Sequence, residues 1–129
     1  MKKILVPLFS LMISFNAYGG EWTKLTRSVN GDLFYIDLSS IKTNGNVYHW
    51  ELNDYLKPNK FGDLSVEVLK ETDCNVPQKF RFLSQLYYTQ SMGKGSTVLT
   101  NNKPSEWLYI TPSSIMAGIS DFVCNYASQ

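Results

Sequence analysis

The sequence predicts an α+β fold: an antiparallel sheet of about six strands with one C-terminal helix on its apolar face. Three observations predict it. Several segments alternate apolar and polar residues with a period of two, as strands covered on one face do. Turn residues punctuate the chain at short intervals. Near the end the period changes, and Ile115, Ile119, Phe122, Val123 and Tyr126 fall on one helical stripe.

Asn30-Gly31 lies between short β segments at residues 22–28 and 33–36, the signal of a tight hairpin. Asn44-Gly45-Asn46 opens the next strand, expected over residues 47–56. There Tyr48, Trp50, Leu52 and Leu56 form the expected dry side, and His49, Glu51 and Asn53 the wet one. A long break at 57–63 leads to a strand over 64–74. Its inward set is Leu64, Val66, Val68 and Cys74, and its outward set is Ser65, Glu67, Glu71 and Asp73, with Leu69 out of pattern. Asn75-Val76-Pro77 turns the chain into a strand over 79–89. Phe80, Phe82, Leu86 and Tyr88 are expected inside, and Lys79, Arg81 and Gln85 outside. Loops follow at 91–95 and 101–104, and Trp107 is expected to pack under the helix, with an exposed binding aromatic as the alternative. Pro112, Ser113 and Ser114 provide a cap and first turn for that helix. Gly118 in its interior implies a close approach to the sheet.

The N-terminus carries an export signal. Lys2 and Lys3 precede an uncharged, mostly apolar run of 12 residues (4–15), and small residues flank a cut between Gly19 and Gly20. A bilayer span takes about 20 residues, so the run is not read as an anchor. No cysteine stands at the cut, so no lipid anchor is expected. The expected product is one domain, residues 20–129, in the periplasm or outside the cell. It has 110 residues, ten basic and eleven acidic. Near-neutrality without a basic run gives no electrostatic reason to bind nucleic acid or anionic lipid. No later stretch could span a membrane.

Cys74 and Cys124 are an even pair in an exported chain, which implies a disulfide. It would close about 51 residues, worth roughly 4 kcal/mol in chain entropy. Two unpaired buried thiols are the alternative. Two sulfurs and one histidine fall short of a closed zinc shell, and no metal or cofactor is expected.

Little in the chain suggests catalysis. His49, the one histidine, sits by parity on the wet side, where it reads as a surface residue. Glu51 shares that side, yet no serine stands in a nucleophile-elbow context. Gly93-Lys94-Gly95 lacks the rest of a phosphate loop and reads as a turn. Glu67, Glu71 and Asp73 read as partners for Lys79 and Arg81 across the sheet. Leu69, Leu83 and Tyr87 break the polar parity of the outer side, and such grouped apolar residues can mark either a partner or dimer contact or an edge tucked under a loop.

Six stretches in order give the chain a likeness: Tyr35-Ile36-Asp37 with Ser39-Ser40-Ile41-Lys42; Asp54-Tyr55 with Lys57-Pro58; Asp73-Cys74; Arg81-Phe82-Leu83-Ser84; Met92-Gly93-Lys94-Gly95; and Glu106-Trp107 running through Pro112 and Ser114-Ile115 to Val123-Cys124. With these the chain resembles the bacterial surface-adhesin protein E family. The resemblance implies a six-stranded antiparallel sheet with a C-terminal helix tied to it by the cysteine pair. It also implies a non-enzymatic adhesin that binds host matrix or serum proteins, and a capacity to dimerise. The expected contact is the open sheet face, through Lys79, Arg81, Leu83, Tyr87 and Lys94. An unanchored envelope protein with a structural or small-ligand role is the alternative.

Overall fold

The computed structural model describes residues 21–129. The export signal and the Gly19–Gly20 cut lie outside them. Eight strands form one antiparallel sheet: β1 (Thr23–Arg27), β2 (Leu33–Ile36), β3 (Lys42–Asn44), β4 (Asn46–Asp54), β5 (Ser65–Asp73), β6 (Lys79–Gln90), β7 (Lys94–Asn101) and β8 (Leu108–Tyr109). Six of them follow the order β1-β2-β4-β5-β6-β7, while β3 pairs with β4 and β8 with β6. The helix α1 (Ile115–Ala127) follows, capped by Ser114, whose Oγ accepts the Ala117 N–H. A cap of this kind is worth about 1 kcal/mol.

The helix covers one face of the sheet. Ile119 and Val123 pack against Ile36 and Val47, with Phe34, Leu38 and Met116 around them. Cys74, just beyond β5, is bonded to Cys124, with their Cα atoms 6.0 Å apart. The expected staple between helix and sheet is therefore present.

Three expectations about faces need correction. In β4 the sides are exchanged: His49 and Glu51 lie beneath the helix, fully buried, while Tyr48 and Trp50 point to the other face. Alternation fixes which residues share a side, not which side is covered. Here both sides are partly covered. In β6 the parity flips at Leu83, the extra residue of a bulge opposite Leu69 and Lys70. Phe80 and Phe82 face the helix as expected, but Leu86 and Tyr88 share the face of Glu67 and Ser65. Gly118 is exposed, and an added Cβ would have no heavy atom within 4 Å, so close approach does not explain it.

The second face has its own cover at one end. The turn Ser91–Gly93 folds back over β4 and β5. Met92 N donates to Asp54 Oδ1, and Gly93 N donates to Ser65 Oγ, both at 2.9 Å. Leu52, Ser65 and Glu67 are buried there. Gly93 has φ +69°, and a Cβ on it would stand 2.8 Å from Glu67 Oε2, so this position requires glycine.

Candidate binding surface on the open half of the sheet

Among the described residues no such turn folds over the other half of the second face. The strand register lays out its rows. Asn46, Asp73, Lys79 and Tyr109 share the outermost row, and Tyr48, Glu71 and Arg81 the next. Trp50, Leu69 and Ser84 make a third. Trp107, one strand step of two before Tyr109, adds its ring to this face.

Glu71 is the hub. Its Oε1 accepts from Arg81 Nε at 2.8 Å, and its Oε2 from Asn46 Nδ2 at 2.9 Å and Tyr48 O–H at 3.1 Å. Desolvation alone would raise its pKa. The hydrogen bonds from Asn46, Arg81 and Tyr48 overcome that and hold it below the ordinary carboxylate value. Tyr48 responds oppositely: partial desolvation and the Glu71 carboxylate push its phenol up.

A run of cations and rings continues from the hub. The Arg81 guanidinium lies 4.5 Å from the Trp107 ring centroid, and Lys79 Nζ lies 5.0 Å from it. The same ammonium is 5.9 Å from the Tyr109 ring. These contacts orient two long side chains that would otherwise lose rotamer freedom on meeting a partner. Tyr109 is 68% exposed and Trp107 half-buried, so rings and cations together face solvent.

Of the five expected contact residues the fold gathers two. Lys79 and Arg81 stand side by side here. Leu83 occupies the bulge two residues on, half-buried. Tyr87 shares the face of Val66 and Gln85, the helix side, and its O–H donates to Gln85 Oε1. Lys94 is exposed at the start of β7, at the sheet's other end. Trp107 is not under the helix. The sequence signal that could have placed it was the alternation Glu106-Trp107-Leu108-Tyr109, which puts both rings on one side of a strand.

Beneath the helix lies a second charged group. Glu51 Oε1 is 3.0 Å from Lys70 Nζ and 3.1 Å from His49 Nε2, all three residues being buried. Lys70 Nζ also donates to Met116 Sδ and sits 4.6 Å from the Phe80 centroid. Desolvation pushes Glu51 upward, but the Lys70 charge and the contact with His49 more than reverse it, to about 2. His49 is therefore not a surface residue. The void it borders, with Lys70, Thr72 and Ser120, measures about 10 Å³, room for one water and not for a substrate.

Among the described residues no helix is long and apolar enough to cross a membrane. A family model described as surface-adhesin protein E matches residues 22–125. No curated protein matches the chain. Among solved structures, crystal form II of Haemophilus influenzae protein E is 19% identical, with a TM-score of 0.63 over 84% of this chain and 90% of that one. Protein E from non-typeable Haemophilus influenzae is 20% identical, with a TM-score of 0.57 over 83% and 78%. At these identities the likeness shows a shared fold.

Proposed function

Because the chain belongs to the surface-adhesin protein E family, we propose that it is an exported, non-enzymatic binding module whose partner is a protein, a host matrix or serum protein or an envelope component. In this reading the signal is cut between Gly19 and Gly20, and residues 20–129 act as one domain without a lipid anchor. The observation that carries it is the row Arg81–Trp107–Lys79–Tyr109 on the open half of the sheet. Trp, Tyr and Arg, three of the four residues in this row, are enriched in protein contacts and supply most hot spots.

The test is a binding series with the processed protein against matrix proteins, serum proteins and an envelope extract. Saturable binding that Trp107→Ala weakens at least tenfold supports the reading; a hot-spot side chain is worth about 2 kcal/mol or more. Absence of any saturable partner, or a Trp107→Ala variant that binds like the parent, overturns it. Cell fractionation decides the location, since protein confined to the periplasm would exclude direct contact with a host.

One observation favours a second reading, a small-ligand role in the envelope. A groove of about 450 Å³ opens between β1 and the start of α1, lined by Leu25, Thr26, Ser114, Ile115 and Phe122 among others. Its size suits a small molecule, and its lining is uncharged. A thermal shift produced by neutral amphiphiles, and abolished by Phe122→Ala, would separate this reading from protein binding.

A further inference from the structure

The sheet's other end carries a different surface. There the β1–β2 hairpin and the loop 55–64 stand side by side. Val29 is fully exposed at the tip of the hairpin, and Leu56 and Phe61 project from the loop with 63% and 77% of their surface in solvent. Single exposed apolar residues are ordinary. Three on two joined tips are not.

The two loops are tied together. Asp32 Oδ1 accepts the Leu56 N–H at 2.9 Å, and the Gly31 backbone lies against the Leu56 side chain. Each loop is also held from within. Ser28 O accepts from Gly31 N, and Asn59 Oδ1 accepts from both Phe61 N and Asp63 N at 2.9 Å. Phe61 is thus displayed outward by a closed turn.

Cations ring these tips. Arg27, Lys57 and Lys60 are exposed, and Lys60 Nζ lies 5.1 Å from the Phe61 centroid. The acids nearby, Asp32 and Asp63, are half-buried, and each has an oxygen engaged, with Leu56 N and with Asn59 Nδ2. What faces outward is therefore apolar at the points and cationic at the rim. Three exposed cations thus stand outermost here, against two half-buried carboxylates set behind them.

We infer that this end of the molecule docks on the surface of a bilayer containing anionic lipids. Val29, Leu56 and Phe61 enter the headgroup–acyl boundary, while Arg27, Lys57 and Lys60 meet the phosphates with their aliphatic stems lying along the tips. The charge complementarity favours an anionic bilayer, and separate projecting points suit a yielding lipid surface better than a flat protein one. The strand length then holds the Lys79–Trp107 end roughly 25 Å further from the membrane. The inference uses residues distinct from the proposed partner surface and stands apart from it.

Vesicle sedimentation tests it, with the protein purified from the exported fraction. Vesicles of phosphatidylcholine alone are compared with vesicles containing about one-third phosphatidylglycerol. The parent is expected to sediment with the anionic vesicles and to be released by high salt. Lys57→Gln with Lys60→Gln should lower partitioning roughly 30-fold, from about fivefold per cation near a charged leaflet. Leu56→Ser with Phe61→Ser should lower it at least about tenfold. All four side chains are exposed, so an unchanged Tm confirms that the variants fold. Trp107→Ala should leave vesicle binding as it was, which separates this inference from the proposed partner surface. Failure of the parent to bind either vesicle would overturn the inference, as would undiminished binding by the Leu56→Ser/Phe61→Ser variant. So would an envelope protein captured through Leu56 and Phe61 in the absence of vesicle binding, which would make the tips a protein contact.

Discussion

Glu51 and Glu71 occupy opposite faces of the same sheet, and each gathers its donors in a different way. Glu71 lies on the open half, where Arg81, Asn46 and Tyr48 satisfy both of its oxygens. Glu51 lies under the helix, where Lys70 and His49 converge on Oε1 alone; Oε2 and His49 Nδ1 find no hydrogen-bond partner among the described residues. Glu71 is itself buried, but its partner Arg81 is 29% exposed, so water partly screens the pair and losing a member costs less than under the helix. A buried group is held by its partners only, and removing one leaves charge stranded in a low dielectric. The same residue type thus bonds to buried partners under the helix and, on the other face, fixes Arg81 in the row proposed as a contact surface.

The largest effect should come from Glu51→Ala. Stranding Lys70 under the helix is expected to cost about 3–5 kcal/mol, whereas Glu71→Ala should cost about 1–2 kcal/mol. Urea titrations of both variants measure the contrast. Equal losses would break the comparison. Replacing His49, Glu51 and Lys70 together by apolar residues of similar volume should recover most of the loss, since a buried ionic group is often no better than a packed apolar one.

The disulfide lies on the helix face only. With the two cysteines 50 positions apart, Cys74→Ser with Cys124→Ser should lower stability by roughly 4 kcal/mol through the entropy of the unfolded chain. If the double variant lost stability and Glu51→Ala then cost it nothing more, the helix would already have left the sheet, and the two features would be one cooperative unit.

Acid should expose the difference without mutation. The folded pKa of Glu51 lies at about 2, below its unfolded value of 4.5. Its contribution is present above pH 4.5 and is lost as pH falls toward 2. Glu71 moves in the same direction, though being nearer solvent it should contribute less. Glu67, under the Ser91–Gly93 turn, moves oppositely: desolvation raises it, against the Tyr88 hydrogen bond. Its contribution is present below its unfolded pKa and lost as pH rises through the folded one. Urea midpoints measured from neutral to strongly acid pH should fall on acidification in the parent and stay flatter in Glu51→Gln. A parent profile that did not fall would contradict the assignment.

Much of the architecture was legible because it rests on local signals. Asn30-Gly31 and Asn44-Gly45 mark real hairpins, Ser114 is the cap of the helix, and Cys74 and Cys124 pair. The stretches that carried the family likeness serve largely as scaffold. Asp37 caps the short helical turn Leu38–Ser40, Ser40 Oγ accepts from Trp50 N, and Asp54 holds Met92 N. They report the fold faithfully and say little of the partner. The candidate surface was less legible because it depends on which face is covered. A bulge at Leu83 reverses the parity of half of β6, and Lys70 with His49 makes Glu51 tolerable inside. Periodicity contains neither fact. Lys79 and Arg81 lie on the expected face because they precede the bulge; Tyr87 lies on the opposite face because it follows.

Gly118 should give the smallest effect, and with the opposite sign. It sits in the interior of α1, where glycine costs up to about 1 kcal/mol relative to alanine through backbone freedom in the unfolded chain. No tight contact compensates, since an added Cβ would stand in open space beside the groove that Leu25 and Phe122 line. Gly118→Ala should therefore raise stability by about 0.5–1 kcal/mol, read as a higher urea midpoint at unchanged slope. If the variant were no more stable yet lost its response to neutral amphiphiles, the glycine would keep that groove open for a ligand. The helix face would then carry function as well as the open face.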